Sequence, residues 1–372
     1  MTNDVCFLIR AFSGGGAQRD AVLLANGLAG LGRSVSILVL DANGPLRSLV
    51  DPRVDIRDLG RGQKLKMAFA LPAVRSAIAD ARPAVLVASE ASGNVLAVAA
   101  TRFLSSERRP RLVLREVASP MQAKTTDPYI QNRLAYRLAP WLYPKADLVL
   151  ALTEPVRRDL VQHFRVLQER AVVLGSNAVL TQSKDVILNA LNRDVEPDLL
   201  VAVGRLSKEK GFDVLLSAVA LVKQNAPVKL VIVGEGPARP DLEAQIKTLG
   251  LRDTVQLVGF QNDPGVFLRR AAIFVSASRH EGLGNAIIEA LAWGLPVVST
   301  DAPYGPREIL QNGRCGELVP VDDPEALARA ITANLGRPHD ERVCKERAAD
   351  FTVENAAKAF LNALNLQGIS FH

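Results

Sequence analysis

Short apolar runs that alternate with amphipathic segments constrain this chain more than any other feature. Val5 to Ile9 reads as a buried strand, followed by a Gly14-Gly15-Gly16 loop and a helix from Ala17 to about Leu31. Further strands are predicted at Val35 to Leu40, Ala84 to Ala88, Arg111 to Leu114 and Asp147 to Leu152, with helical patterns between them. Parallel strands need long crossovers, so repeated strand–helix alternation implies a parallel sheet with helices on both faces. The pattern then starts again. Leu199 to Val203 reads as a strand and Phe212 to Gln224 as a helix, with strands at Lys229 to Val233, Val255 to Val258, Ile273 to Ser276 and Pro296 to Ser299. A chain of 372 residues exceeds what one hydrophobic core usually organises. The reading is therefore α/β, with two successive doubly wound domains, 1–177 and 195–352. The polar stretch from Asn177 to Pro197 reads as a linker. The amphipathic tail from Val353 to Leu364, within 353–372, is expected to pack back on the first domain.

Composition narrows the class. An apolar content of 48% marks an ordered globular protein, and no apolar run approaches the roughly 18 to 20 residues that span a bilayer. Met1-Thr2-Asn3-Asp4 lacks the basic start of a secretory signal. Cys6, Cys315 and Cys344 are odd in number and scattered, which argues against a disulfide framework or a metal cluster. The expectation is a cytoplasmic protein, either free or associated with the inner face of the plasma membrane. Charge is unevenly spread: residues 1–180 hold 24 Lys and Arg against 15 Asp and Glu, a net of +9, and the remainder 21 against 24, a net of −3. A basic first half suits an anionic membrane surface or a phosphate-bearing acceptor, and equally suits simple solubility. Nothing points to nucleic acid.

In doubly wound sheets, ligands bind outside the carboxyl ends of the strands. The unusual loops here all follow strands: Gly14–Gly16, Arg115-Glu116, Gly204–Lys210, Gly234–Pro237 and His280–Asn285. With two domains facing one another, these loops are expected to converge on a central cleft. His280-Glu281-Gly282-Leu283-Gly284-Asn285 leads from a strand into a helix, and Glu289 follows Glu281 by eight positions. Glycines at such a junction let a ligand approach the backbone, and free N–H groups at a helix start favour a phosphate. A diphosphate with a carboxylate on each side suits a nucleotide sugar. In Gly204-Arg205-Leu206-Ser207-Lys208-Glu209-Lys210-Gly211, Arg205 and Lys210 flank another strand–helix turn. Such a pair can bracket a diphosphate, Arg as a fork and Lys as a point charge. Surface loops also carry such charges routinely.

Five elements occur in a fixed order: Gly204-Arg205-Leu206 with Lys210-Gly211; Val233-Gly234-Glu235-Gly236-Pro237; Leu257-Val258-Gly259-Phe260; Glu281-Gly282-Leu283-Gly284 with Glu289; and Gly294-Leu295-Pro296-Val297-Val298. Together they resemble the donor domain of the retaining GT-B glycosyltransferases with an E-x7-E motif, the group 1 or family 4 type. The resemblance is strong over about 195–335 and weaker in the first domain. There Gly14-Gly15-Gly16-Ala17-Gln18-Arg19 is similar to the family's glycine loop, and Trp141-Leu142-Tyr143-Pro144-Lys145-Ala146-Asp147 to the segment entering its last strand. The resemblance implies two Rossmann-like domains, a nucleotide-sugar donor bound by the second and a hydroxyl acceptor taken by the first. It implies that Glu289 accepts from the ribose hydroxyls and that Glu281 holds the sugar in transfer. Arg205 and Lys210 would neutralise the leaving diphosphate. The N–H groups of Leu283, Gly284 and Asn285 would meet the sugar or the diphosphate, with Gly204 beside them and Gly15 and Gly16 opposite. Glu281, Arg205 and Lys210 are thus the catalytic candidates. His280 stands at a position that varies in the family and is a candidate for lining the cleft.

One departure bears on the acceptor side. Many members of that family carry a histidine after the strand that here reads Leu112-Val113-Leu114-Arg115-Glu116-Val117, and no histidine precedes His163. Arg115 and Glu116 are the polar candidates there, with an internal ion-paired role as the alternative. Pro303-Tyr304-Gly305-Pro306-Arg307-Glu308-Ile309-Leu310 is similar to an element of bacterial members that build surface polysaccharides. Glu308 either orients the nucleotide or merely opens a helix. The stretch Tyr129 to Tyr143 mixes Leu134, Tyr136, Leu138, Trp141 and Leu142 with Arg133 and Arg137. It fits a helix resting on an anionic membrane, and equally a buried helix.

No Asp-x-Asp at a strand end and no His/Cys cluster with ligand spacing points to a metal. Neither metal nor other cofactor is expected. The favoured expectation is a retaining transferase, with attack and departure on one face of the sugar, acting on a lipid-linked or growing glycan in bacterial surface polysaccharide synthesis. The alternatives are a nucleotide-sugar epimerase or a phosphorylase on the same fold, and a catalytically silent nucleotide-sugar-binding scaffold. A dehydrogenase is disfavoured, because Gly14–Gly16 lacks G-x-G-x-x-G spacing.

Overall fold

A computed structural model of the chain describes residues 4–13, 15–60, 67–126, 130–175, 177–189 and 193–369. Gly14, Tyr129, residues 1–3 and residues 190–192 of the expected linker lie outside that set. The chain forms two compact units, Met1–Thr181 with Phe351–His372, and Gln182–Asp350.

The first unit carries seven parallel strands: β1 (Val5–Ala11), β2 (Val35–Asp41), β3 (Asp55–Asp58), β4 (Val85–Ser89), β5 (Arg111–Glu116), β6 (Leu148–Ala151) and β7 (Ala171–Val173). Their order in the sheet is β3-β2-β1-β4-β5-β6-β7. The second unit carries β8 (Leu199–Val203), β9 (Lys229–Val233), β10 (Val255–Leu257), β11 (Ile273–Ser276), β12 (Val297–Thr300) and β13 (Glu317–Val319), ordered β10-β9-β8-β11-β12-β13. Every pairing is parallel. Central strands such as β2 and β4 are buried along their whole length, as a sheet covered on both faces demands.

Strands β8, β9 and β11 have the predicted bounds, and the other predicted strands differ by a residue or two. Three strands escaped prediction: β3, β7 and β13. All three are sheet edges, short and partly exposed, so the continuous apolar run that marks a central strand is missing.

The stretch read as a linker is structured within its described part. Val179 and Leu180 donate to the Phe351 carbonyl, and Ala178 donates to Asp20 at 3.0 Å. A helix then spans Lys184–Asn189. The tail forms a helix, Val353–Leu366, packed on the Gly16–Gly30 helix of the first unit. Phe360 is fully buried there with its ring centroid 6.5 Å from that of Phe7. Closing the unit with its own terminus buries apolar surface worth about 1.5–3 kcal/mol for each large side chain. Among the described residues, no helix is long and apolar enough to cross a membrane.

Candidate active site

In each sheet the strand order reverses once, and the crevice at that reversal is where ligands gather in such folds. In the second unit it lies at the carboxyl ends of β8 and β11. The loop after β8 carries Gly204, Arg205 and Lys210, and the loop after β11 carries His280, Glu281, Leu283 and Gly284.

Glycine geometry holds these two loops together. Gly211 has φ +61°, and a Cβ there would fall 2.0 Å from the Ala277 carbonyl oxygen. Only glycine tolerates both the left-handed backbone and the approach. The loop is thereby pressed against the end of β11. Lys210 Nζ sits 2.6 Å from Glu281 Oε1, and Ser278 Oγ donates to the same oxygen at 2.7 Å. The lysine and glutamate side chains keep 24% and 11% of their surface, so the pair is sheltered yet reachable. A partly desolvated charge pair interacts more strongly than one in open water.

Arg279 rivets the surroundings. Its guanidinium takes both carboxylate oxygens of Asp213 at 2.9 and 2.7 Å, Asp322 at 2.7 Å and the Lys208 carbonyl at 2.6 Å. Its N–H donates to the Glu209 carbonyl at 2.8 Å. The Arg279 hydrogen bonds hold the Asp213 carboxyl below its usual range, and Asp213 in turn raises the arginine. Neither Ser278 nor Arg279 was singled out from sequence. The signal available was position alone, in the turn between β11 and Glu281.

The Asn285–Ala292 helix starts from Gly284, whose φ of +107° suits glycine. The first N–H groups of a helix have no intrahelical partner. Glu289 follows Asn285 by one turn on the same face and is half-buried. The loop after β12 backs this turn: a Cβ on Gly305 would fall 1.8 Å from the Leu283 carbonyl oxygen. Glu308 lies in the Pro306–Ile309 helix directly after it. Arg205 is exposed, while His280 is half-buried. The structure thus gathers Gly204, Arg205, Lys210, His280, Glu281, Leu283 and Gly284 on two adjoining loops of one unit, and Asn285 and Glu289 in the first turns of the helix that follows.

In the first unit the reversal lies at the carboxyl ends of β1 and β4. Gly15 and Gly16 follow β1 there and are exposed, and a Cβ on Gly16 would meet nothing within 4 Å. The protein's own packing therefore does not explain that glycine. Glu90 follows β4 with φ +69°, an uncommon backbone for a non-glycine residue and one that sequence reading missed.

Arg115 and Glu116 take a different place from the one expected of acceptor-side residues. Arg115 is 1% exposed and pairs with Asp20 at 2.7 Å, and its Nη2 also donates to Asn177 at 3.3 Å. Glu116 is fully buried and accepts from the Tyr136 and Tyr143 hydroxyls at 2.8 and 2.9 Å. Both belong to the interior of the first unit: as neighbours on β5 they point to opposite faces of the sheet, and both faces are covered. Burial raises the Asp20 carboxyl despite Arg115, and raises the Tyr143 hydroxyl well above its usual value.

All three cysteines are buried, and burial raises their thiols, that of Cys344 up to about 12. Among the described residues, no group of three or more His, Cys, Asp or Glu side chains is placed to hold a metal.

Comparison with known proteins gives this geometry a lineage. Residues 183–351 match the model of "Glycosyl transferases group 1", and residues 15–177 that of "Glycosyl transferase 4-like domain". A Campylobacter jejuni relative named N-acetylgalactosamine-N,N'-diacetylbacillosaminyl-diphospho-undecaprenol 4-alpha-N-acetylgalactosaminyltransferase is 32% identical over 72% of this chain and 70% of its own length. The Rhizobium meliloti lipopolysaccharide core biosynthesis glycosyltransferase LpsE is 37% identical over 38% of this chain and 40% of its own. Among solved structures, sucrose-phosphate synthase from Thermosynechococcus elongatus superposes with a TM-score of 0.79 at 19% identity, covering 98% of both chains. Anabaena HepE with UDP and glucose gives 0.73 at 21%, covering 97% of this chain and 99% of its own. The two parallel-sheet Rossmann-like units are those of the GT-B fold, and the chain belongs to the group 1 glycosyl transferases.

Proposed function

We propose that this glycosyltransferase moves a sugar from a nucleotide-diphosphate sugar to a hydroxyl of a lipid-linked or growing surface glycan, retaining the anomeric configuration and needing no metal. The observation that carries the reading is the Lys210–Glu281–Ser278 cluster at the β8/β11 reversal, beside the Gly284-led helix. A nucleotide sugar presents vicinal hydroxyls at both ends and two phosphates between, and this stretch carries the complementary groups: carboxylates, cations and a helix start. Glu289 takes the ribose hydroxyls, Glu281 the hydroxyls of the sugar in transfer. Arg205 and Lys210 face the diphosphate, where charge grows as the bond from C1 to phosphate oxygen breaks. The acceptor oxygen bonds to C1 on the face that the phosphate leaves, and the acceptor proton passes to the departing phosphate oxygen. The names of two relatives support the acceptor class: that from Campylobacter jejuni refers to a diphospho-undecaprenol substrate, and that from Rhizobium meliloti to lipopolysaccharide core.

The test is a panel of nucleotide sugars incubated with the enzyme and a lipid-linked disaccharide, with the product's anomeric configuration read by NMR. We expect nucleoside diphosphate release, a retained anomer and no loss of rate with a chelator. An inverted anomer refutes the retaining reading, and abolition by chelator refutes metal independence. Glu289→Ala should weaken nucleoside diphosphate binding at least tenfold by calorimetry, and unchanged affinity removes the ribose assignment.

A further inference from the structure

The Ile130–Leu142 helix of the first unit is apolar on two opposite faces. Ala135, Tyr136 and Ala139 point inward and are buried, packed toward the Ala91–Arg102 and Pro120–Thr126 helices. On the other side Ile130, Leu134, Leu138 and Trp141 stand 72%, 54%, 43% and 58% exposed. At 3.6 residues per turn these four positions fall within one arc of about 80°, whose centre lies about 150° around the helix from that of the buried face. Burial within the unit accounts for the inner set only. A helix that already spends one face on its core has no folding reason to carry a second apolar stripe about 17 Å long. Water does not favour that stripe.

Charge around the stripe is of one sign. The helix contains no Asp or Glu, and Arg133 and Arg137 border the exposed arc. Just past its carboxyl end Arg109 reaches the Lys145 carbonyl at 3.5 Å, and both side chains are exposed. Over residues 101–146 the sequence holds nine Lys and Arg against three Asp and Glu. Two of those twelve, Arg115 and Glu116, are buried and cancel. The two helices that this one packs against also present exposed apolar side chains, Phe103 just past the end of one and Met121 on the other.

We propose that this stripe is a membrane-docking surface that lies in the headgroup region of an anionic bilayer. The apolar row enters the acyl boundary, Trp141 sits at the interface, and Arg133, Arg137, Arg109 and Lys145 meet lipid phosphates. A protein groove would also take an apolar helix face, but the cationic border and the absence of acids on the helix favour lipid phosphate. The proposal deepens the lipid-linked acceptor reading and rests on it for its purpose. Glu116, the last residue of β5, accepts from Tyr136 in the middle of this helix and from Tyr143 just past its end, so the helix is anchored to the carboxyl end of a strand, where ligands bind in such sheets.

The test uses the full chain with vesicles of phosphatidylcholine alone or with phosphatidylglycerol. Wild type should co-sediment with the anionic vesicles, weakly with the neutral ones, and lose binding as salt rises. Its tryptophan emission should shift to the blue. Trp141→Phe should lose that shift and keep binding, while Trp293→Phe keeps both. Combined Ile130→Ser, Leu134→Ser, Leu138→Ser and Trp141→Ser should lower partitioning at least about tenfold, with unchanged thermal unfolding and nucleotide-sugar binding. Equal sedimentation of that variant, or of wild type with neutral vesicles, overturns the proposal. So does a wild-type dimer in light scattering that the variant converts to monomer, since a second copy would then cover the stripe. If vesicles bind as expected but no nucleotide sugar does, the surface stands and the transferase reading fails.

Discussion

Each unit holds a charge pair near the carboxyl ends of its central strands, and the two pairs have opposite characters. In the second unit Lys210 and Glu281 meet at 2.6 Å with side chains still partly open to solvent. In the first, Asp20 and Arg115 meet at 2.7 Å with 1% of each side chain exposed. The buried pair is poorly served: Arg115 Nε and Nη1 find no partner among the described residues. Such a pair, once buried, is weak evidence for added stability, yet it becomes expensive to break. The other pair keeps part of both side chains in contact with solvent, so its geometry is available for binding charge that arrives with a ligand. Similar residues at similar places in related sheets thus divide by exposure into a sealed pair and a reachable one.

The sharpest way to break that contrast is to disarm the open set. Arg205→Ala with Lys210→Ala should cut sugar transfer by about 10³- to 10⁵-fold, if each cation stabilises the leaving diphosphate as an oxyanion donor would. Thermal unfolding should move less than when the buried pair is broken, because the site keeps access to water that can solvate the charge left behind. Transfer near the wild-type rate would make the pair ornamental and reverse the distinction between the units.

The buried pair should respond the other way. Asp20→Asn leaves the Arg115 guanidinium without a counter-charge and should destabilise the chain by about 3–5 kcal/mol in urea unfolding. Asp20→Leu with Arg115→Met should recover most of that loss, because both charges then vanish together. Nucleoside diphosphate affinity of the folded fraction should stay unchanged. A stable Asp20→Asn protein that has lost transfer would instead place Arg115 in the chemistry.

This contrast was only half legible in the sequence. Alternating apolar runs announced the central strands, since a strand buried on both faces needs every side chain apolar. The edge strands β3, β7 and β13 stayed hidden because an edge requires no such run. Their sequences, Asp-Ile-Arg-Asp, Ala-Val-Val and Glu-Leu-Val, carry too few residues or too much charge to stand out. Among site residues, Glu281 and Lys210 were legible because a glycine-bearing turn after an apolar run exposes whatever follows. Arg115 and Glu116 follow an apolar run equally closely, but there the decisive partners are remote in sequence: Asp20, Tyr136, Tyr143 and Asn177. Burial is a property of the partners as much as of the residue. Arg279 was missed for the same reason, as Asp213 and Asp322 give it its role.

The smallest effect separates the two settings by pH. Arg279 holds the Asp213 carboxyl below its usual range, and Asp213 is 49% exposed. Its contribution, at most about 1 kcal/mol after screening, is present above the unfolded carboxylate pKa of about 3.9. It disappears as pH falls through the lower folded value. Asp20 has the opposite sign. Burial raises its folded pKa, so its linked contribution is full below about 3.9 and is lost as pH rises through the raised value. Urea titrations of Asp213→Asn against wild type should therefore show a small gap at pH 7 that closes below about pH 4. For Asp20→Leu with Arg115→Met against wild type, the difference should instead shift in the mutant's favour as pH rises. Parallel pH dependences in the two comparisons would mean that both carboxylates experience one kind of environment, and exposure would no longer distinguish the pairs.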